Sequence, residues 1–212
     1  MKVLKLLCHP MSGHSHRAEL MLSLLDLPLE KITVDLKNGE QKTTQFKKLN
    51  FLCQVPVLID GTVSISDSNA ILIYLATKYD ESRRWLPEDP EKQALIQRFL
   101  SIAAGELVNG PATARAGKLL GKDVNYTGAV EVSIRLFNQL DEYLEKKEWL
   151  VGEHTTIADI ALYAYIKMAP LGGIGMEMYS NILRWLENVE NLNGFVPAPS
   201  MQPKPEKQTA TS

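Results

Sequence analysis

The hydrophobic periodicity of this chain changes once along its length, and that change constrains the fold more than any single motif. Up to about residue 80, short strand-like runs alternate with helical segments; beyond Pro90 every periodic stretch is helical. Residues 3–7, 31–34, 55–59 and 63–65 read as strands, the last two joined as a hairpin by the turn pair Asp60-Gly61. Between the first two, Ala18, Met21, Leu22 and Leu25 recur at helical spacing before Pro28, and Ser12 and Ser15 both fit as N-caps. A more polar helical stretch over residues 40–49 and a helix over 68–79, with Ala70, Ile71, Tyr74 and Leu75 on one face, complete a β-α-β-α-β-β-α order. Such an order packs as an α/β layer structure.

Residues 81–90, with two prolines and five charges, break the periodicity and read as a linker. Leu95, Phe99, Ile102 and Ala103 then form one amphipathic stripe, and Ala129, Val132, Leu136, Leu140, Tyr143 and Leu144 another. Thr156-Ile157-Ala158-Asp159 opens an apolar helix with the spacing of a capping box, and a last helix lies near residues 182–189. Four prolines and mostly polar residues over 197–212 predict a disordered tail. The expected domains are therefore an α/β unit over 1–80, a linker over 81–90, an all-helical unit over 91–196 and the tail.

Composition removes several function classes. The chain has 212 residues, 45% of them hydrophobic, and 23 basic against 25 acidic side chains leave no excess of positive charge for a nucleic-acid backbone. Two cysteines, Cys8 and Cys53, supply neither a disulfide framework nor a four-thiolate zinc site, and a reducing, cytoplasmic location is expected. Lys5 interrupts an N-terminal apolar run already too short for a signal peptide, and no stretch is long and apolar enough to span or partner a membrane. His9, His14 and His16 share one loop without an acidic partner, so they are expected at the surface and no metal is expected.

Three segments can carry chemistry. The loop from Cys8 to Arg17 leaves a strand and enters a helix, where backbone N–H groups and the helix dipole favour an anion. Its Ser12-Gly13-His14-Ser15 stands where a dithiol protein would carry two cysteines, so any thiol must arrive on a ligand. Ser12 is then either an N-cap or a donor to that sulfur, a bond that lowers a thiol's pKa. Gln54-Val55-Pro56 enters a strand where a cis proline would leave the preceding backbone open to pair with a peptide. Ser66-Asp67-Ser68-Asn69 starts a helix where Ser68 suits a carboxylate and Asp67 an ammonium, the two ends of an amino acid.

Taken in order, His9-Pro10-Met11-Ser12, residues 36–42, Gln54-Val55-Pro56 and Asp67-Ser68-Asn69-Ala70-Ile71 resemble the glutathione-binding half of a cytosolic glutathione transferase. Gly152 with Thr156–Asp159, and Leu183-Arg184-Trp185-Leu186, are similar to its helical half, so the likeness spans residues 1–196. It implies a thioredoxin-like domain followed by an all-helical one, and glutathione as co-substrate. Within the family the first loop is most similar to serine-type enzymes of the phi class and their bacterial relatives, which implies Ser12 at the glutathione sulfur and Ser15 as the helix cap. Val55 would pair with the cysteinyl backbone, Asp67 and Ser68 would hold the γ-glutamyl end, Gln54 would assist, and Lys42 would face the glycyl carboxylate. Pro56, Thr156 and Asp159 would be structural. Gln41 and Asp67 depart from the histidine and glutamate common in plant phi enzymes.

The resemblance further implies a homodimer and a hydrophobic electrophilic second substrate between the domains, with Met11, Leu107, Val108, Pro111 and Arg115 as its walls. Gly105, Gly110, Gly117 and Gly121 predict a bend or early stop in that interdomain helix. A charged His14 near the sulfur would favour the thiolate. Cys8 is expected in the core and Cys53 nearer the surface; Trp85, Trp149 and Trp185 read as packing residues. The expected activity is conjugation of glutathione to electrophiles, with peroxide reduction alongside. The alternatives are a non-catalytic module of the same fold, which the joint presence of Ser12, Val55, Asp67 and Ser68 disfavours, and a thiol reductase, which would need a cysteine at Ser12.

Overall fold

A computed structural model describes residues 3–200 of the chain. Strand β1 (Leu4–Cys8), helix α1 (Gly13–Leu24) and strand β2 (Leu29–Thr33) form the first unit. A 3-10 turn (Glu40–Lys42) and α2 (Thr44–Leu49) lead to the hairpin of β3 (Val57–Asp60) and β4 (Val63–Ser66), and α3 (Ser68–Tyr79) closes the α/β half. The sheet order is β2-β1-β3-β4, with β2 parallel to β1 and β3 antiparallel to both β1 and β4. The second half contains α4 (Pro90–Ala104), a π-helical turn (Val108–Ala112), α5 (Thr113–Leu120), α6 (Tyr126–Tyr143), α7 (Ile157–Lys167), a 3-10 turn (Ala169–Gly172) and α8 (Ser180–Glu190). This is the predicted thioredoxin-like unit followed by an all-helical one.

Differences from the sequence reading have local causes. β2 begins two residues earlier because its register is set by β1, with Leu4 opposite Leu29; as a largely exposed edge strand it carries little hydrophobic signal. β3 starts after Pro56, which has no N–H to give a ladder. The stretch over 40–49 is two elements, because Thr43 adopts an extended conformation and its Oγ1 accepts the Phe46 N–H at 3.2 Å, capping a new helix. In α4 the buried stripe is Ile96, Phe99, Leu100 and Ala103, rotated from the predicted one so that Leu95 and Ile102 are only half-buried. α4 stops at Gly105, the chain kinks at Gly110, and α5 ends at Gly121.

Alternation along β1 divides the core. Leu4, Leu6 and Cys8 face α1, α3 and the helical half in one continuous hydrophobic cluster, whereas Leu7 joins Val34, Phe46 and Val57 beneath α2. The two halves meet where α1 packs on α7. Gly13 makes that approach possible: a Cβ there would lie 2.8 Å from Tyr165 Cζ and 2.9 Å from Met168 Cε. Trp85 and Trp185 are buried and Trp149 half-buried, as packing residues. After α8 the chain returns to α1, with Gly194 O accepting from Ser23 Oγ at 2.7 Å and Val196 O 2.8 Å from His16 Nε2. Residues 197–200, assigned by composition to a disordered tail, are placed beside this segment, and Ala198 packs on the core; the remainder of that tail, 201–212, lies outside the described residues. Among the described residues no helix is long and apolar enough to cross a membrane.

α7 is buried along nearly its whole length, and its start is the most heavily bonded polar point of the interior. The predicted capping box is present: Thr156 Oγ1 accepts the Ala158 N–H at 3.2 Å and Asp159 Oδ2 accepts the Thr156 N–H at 2.8 Å. Asp159 Oδ1 also accepts the Leu150 N–H at 3.0 Å and the Trp185 Nε1–H at 2.9 Å. Burial raises the Asp159 pKa, and these donors oppose the rise. Asp159→Ala would strand three buried donors, so urea unfolding is expected to show a loss of about 3–5 kcal/mol, against about 1 kcal/mol for Thr156→Ala. Equal losses for the two variants would contradict this assignment.

Candidate functional site

Two helix N-termini meet at one cleft: α1, entered from the end of β1, and α3, entered from the end of β4. Each is capped by a side chain that the sequence marks as a ligand contact. Ser12 is the N-cap of α1, its Oγ accepting the Ser15 N–H at 3.1 Å. This reverses the expected assignment of the cap to Ser15, which is buried and whose Oγ accepts the His9 N–H at 3.2 Å. The cap uses only a lone pair of Ser12, so its half-exposed hydroxyl keeps a hydrogen to donate. Asp67 caps α3, with Oδ1 accepting the Asn69 and Ala70 N–H groups, both at 2.9 Å. It does so at φ +74°, a left-handed conformation unusual for a residue with a Cβ, and remains exposed.

His14, Gln54, Val55, Pro56, Asp67 and Ser68 line one cavity of about 90 Å³ together with Asn50, Leu52 and Ser66. The Val55–Pro56 peptide bond is cis. The loop before it is shaped by buried Asn50, which donates to Gln54 O at 2.8 Å and accepts the Leu52 N–H at 3.0 Å. Ser12 lies instead on a second cavity, of about 220 Å³, with Cys8, His16, Val196 and Pro197. Lys42 is exposed on its 3-10 turn and lines neither.

The three loop histidines diverge rather than sharing the surface. His9 Nδ1 accepts the Met11 N–H, His16 is buried against Val196 O, and His14 turns to Ser68, its Nδ1 3.0 Å from Ser68 Oγ. No group of three metal-ligating side chains forms among the described residues. Burial drives the His14 pKa down to about 4; Arg17 adds to the shift and Asp67 opposes it. His14 is therefore neutral at pH 7, not the cation expected to favour a thiolate. Cys8 is buried, and desolvation, reinforced by Glu19 and opposed by Lys31, raises its pKa; Cys53 is the more accessible thiol.

The expected electrophile wall also changes. Leu107, Pro111 and Arg115 are buried, so they back the interdomain region instead of lining it, while Met11 and Val108 keep partial exposure. Arg115 has a tethering role, its Nη2 donating to Met11 O at 3.1 Å. Arg17, which the sequence presents only as a neighbour of Ser15, is buried and donates to Ser68 Oγ at 2.8 Å and Asn69 Oδ1 at 2.7 Å. Arg17 falls at helical spacing with Leu20 and Met21 on the buried side of α1, where an apolar residue is expected, and an arginine there was the available signal.

Residues 2–77 match the sequence model of the glutathione S-transferase N-terminal domain, and residues 129–193 that of the C-terminal domain. The chain belongs to the glutathione S-transferase family. A glutathione S-transferase structure from Pseudomonas fluorescens is 29% identical, covers 92% of this chain and 98% of its own, and superposes with a TM-score of 0.86. A structure described as a possible glutathione transferase from Rhodopseudomonas palustris is 25% identical over 95% and 100% of the two chains, with the same TM-score. A delta-class glutathione transferase from Nilaparvata lugens is 27% identical over 90% of each, with a TM-score of 0.82. For a transferase of this family a neutral His14 beside the cleft is a specific electrostatic property. Its folded pKa lies below the unfolded value of about 6.5, so the unfolded chain binds the extra proton first and His14 withdraws stability as the pH falls from about 6.5 toward 4. Nuclear magnetic resonance titration of the ring nitrogens is expected to give a midpoint near 4; one near 6.5 would contradict the burial described.

Proposed function

We propose that this glutathione transferase is a serine-type enzyme that binds glutathione across the cleft, ionises its thiol at Ser12 and conjugates it to an electrophilic carbon of a small hydrophobic molecule. Val55, with neither backbone N–H nor C=O bonded within the described residues, pairs with the cysteinyl unit as an added strand would. Asp67 takes the γ-glutamyl ammonium through the carboxylate oxygen its cap leaves free, Ser68 takes the neighbouring carboxylate, and Gln54 assists. Lys42 turns toward the glycyl carboxylate from its exposed position. The electrophile is received beside Met11 and Val108. The protein acts in the cytoplasm as a homodimer; the exposed Phe51 and Leu52, in the loop ahead of β3, offer apolar surface for a second copy.

The observation that carries this reading is the hydroxyl of Ser12. Its oxygen is held by the Ser15 N–H at the positive end of α1, leaving O–H to donate to an incoming sulfur. A free thiol with pKa about 8.5 is a few per cent ionised at pH 7, and a shift of about two units, or about 2.7 kcal/mol, makes the thiolate the majority form. The thiolate sulfur then forms the bond to carbon as the leaving group or the electrophile's π-electrons depart. With an organic peroxide, the thiolate attacks oxygen; a second glutathione completes the disulfide, and alcohol and water are released.

The raised pKa of buried Cys8 disfavours the thiol-reductase alternative, which requires a thiolate of the protein's own. Ser12→Ala is expected to lower turnover at pH 7 about 20-fold, with the deficit closing above pH ~9 as free thiol ionises, and to cost about 1 kcal/mol of stability from the lost cap. Cys8→Ser is expected to keep turnover within about threefold. Unchanged turnover in Ser12→Ala, or a loss above about tenfold in Cys8→Ser, would refute the serine mechanism.

A further inference from the structure

Arg17 is a buried guanidinium without a carboxylate partner. It is 1% exposed, no acidic side chain forms an ion pair with it among the described residues, and its Nε and Nη2 make no hydrogen bond. Only Nη1 is engaged, donating to Ser68 Oγ and Asn69 Oδ1 with His14 Nδ1 further off at 3.5 Å, and Asn69 is itself anchored by donating to Leu100 O at 3.0 Å. Asp67, the nearest acid in sequence to these partners, turns one oxygen to the N-terminus of α3. Burial lowers the Arg17 pKa to about 10, with Tyr165 and the unbonded charge of Asp67 opposing the fall, so the guanidinium stays charged at neutral pH. Stability alone would favour an apolar residue at such a position, because removing a charge from water is costly unless a partner compensates it.

The compensation lies at Ser68, which is buried itself but lines the cleft. A serine hydroxyl has one hydrogen and two acceptor sites. Arg17 can only donate, so it occupies one acceptor site. Neutral His14, with Nδ1 3.0 Å from the same oxygen, can play either part. Without ligand, the Ser68 hydrogen is available to His14 Nδ1. A carboxylate at this point would take that hydrogen, leaving His14 Nδ1 as an acceptor facing Arg17 Nη1 at 3.5 Å.

We infer that Arg17 is a positioning residue for the anionic end of the ligand: it fixes Ser68 as a hydrogen-bond donor and supplies the counter-charge that draws a carboxylate to the start of α3. An ammonium facing Ser68 would meet that charge unfavourably, whereas one facing Asp67 would not, so the pair orients an α-amino-acid group one way only. This rests on the glutathione reading above and adds to it the source of the preference for the γ-glutamyl α-carboxylate.

The test is calorimetric binding of glutathione and of γ-aminobutyryl-cysteinyl-glycine, which lacks only that carboxylate, to the wild type and to Arg17→Met. The wild type is expected to prefer glutathione strongly, and Arg17→Met to cut the preference at least about tenfold while binding the analogue as the wild type does. Arg17→Gln keeps an amide donor toward Ser68 without the charge; it should show the same loss, and it carries the test if Arg17→Met does not fold. Equal weakening toward both ligands, with the preference unchanged, would reduce Arg17 to a structural role and overturn the inference alone. A wild type that binds both ligands equally would overturn the inference and leave glutathione binding standing, and one that binds neither would overturn the glutathione reading and this inference with it.

Discussion

The close approach of α1 to α7 at Gly13 is the contact on which the rest of the arrangement depends. A side chain at residue 13 would collide with Tyr165 and Met168, and separating the helices would open the core shared by the two halves. With that contact made, Ala18, Leu20, Met21 and Leu22 are fully enclosed, and the polar surface α1 offers the cleft lies at its first turn. Ser12 and His14 stand at that turn, and the cavity His14 lines is formed by residues of the α/β half.

The same geometry concentrates positive potential without a metal cluster among the described residues. The N-termini of α1 and α3 converge, each adding a partial charge, and Arg17 lies buried between them with its bonds to Ser68 and Asn69. His14 stays neutral in this field because protonation would place a second cation in a poorly solvated position beside the first. In the function proposed above, that polarity would serve a ligand whose charges are separated along its length, with its carboxylate near Ser68, its ammonium near Asp67 and its thiolate near Ser12.

Much of the architecture was legible in the sequence because alternation and helical spacing survive wherever one face is buried. The limits of α3 and the capping box at Thr156 follow from local signals and stand as read, and the hairpin is present with its two-residue turn one place on, at Gly61-Thr62, because Asp60 pairs with Val63. β2 was displaced because an exposed edge strand has little pattern to read, and α2 was shortened because a single threonine outbids its neighbours as a cap. The exchange of roles between Ser12 and Ser15 was not locally decidable: both fit as caps, and the His9 N–H that occupies Ser15 is fixed by the path of the loop. The charge state of His14 and the task of Arg17 depend on Tyr165, Ser68 and Asn69, far away in sequence, so neither could be read from residue type and spacing. Leu107 and Pro111 show the reverse limit, since apolar residues suited to line a binding site are equally suited to fill a core.

What unites these features is that two helix N-termini and one buried charge converge where the proposed ligand's anionic groups would lie, the sulfur at α1 and the carboxylate at α3. The most direct test is the ultraviolet thiolate absorbance of glutathione bound to the intact protein, followed as a function of pH. The account predicts an ionisation midpoint about two units below that of a free thiol, near pH ~6.5. Saturable binding with the midpoint left near about 8.5 would mean that the site holds glutathione without activating it, contrary to the mechanism proposed.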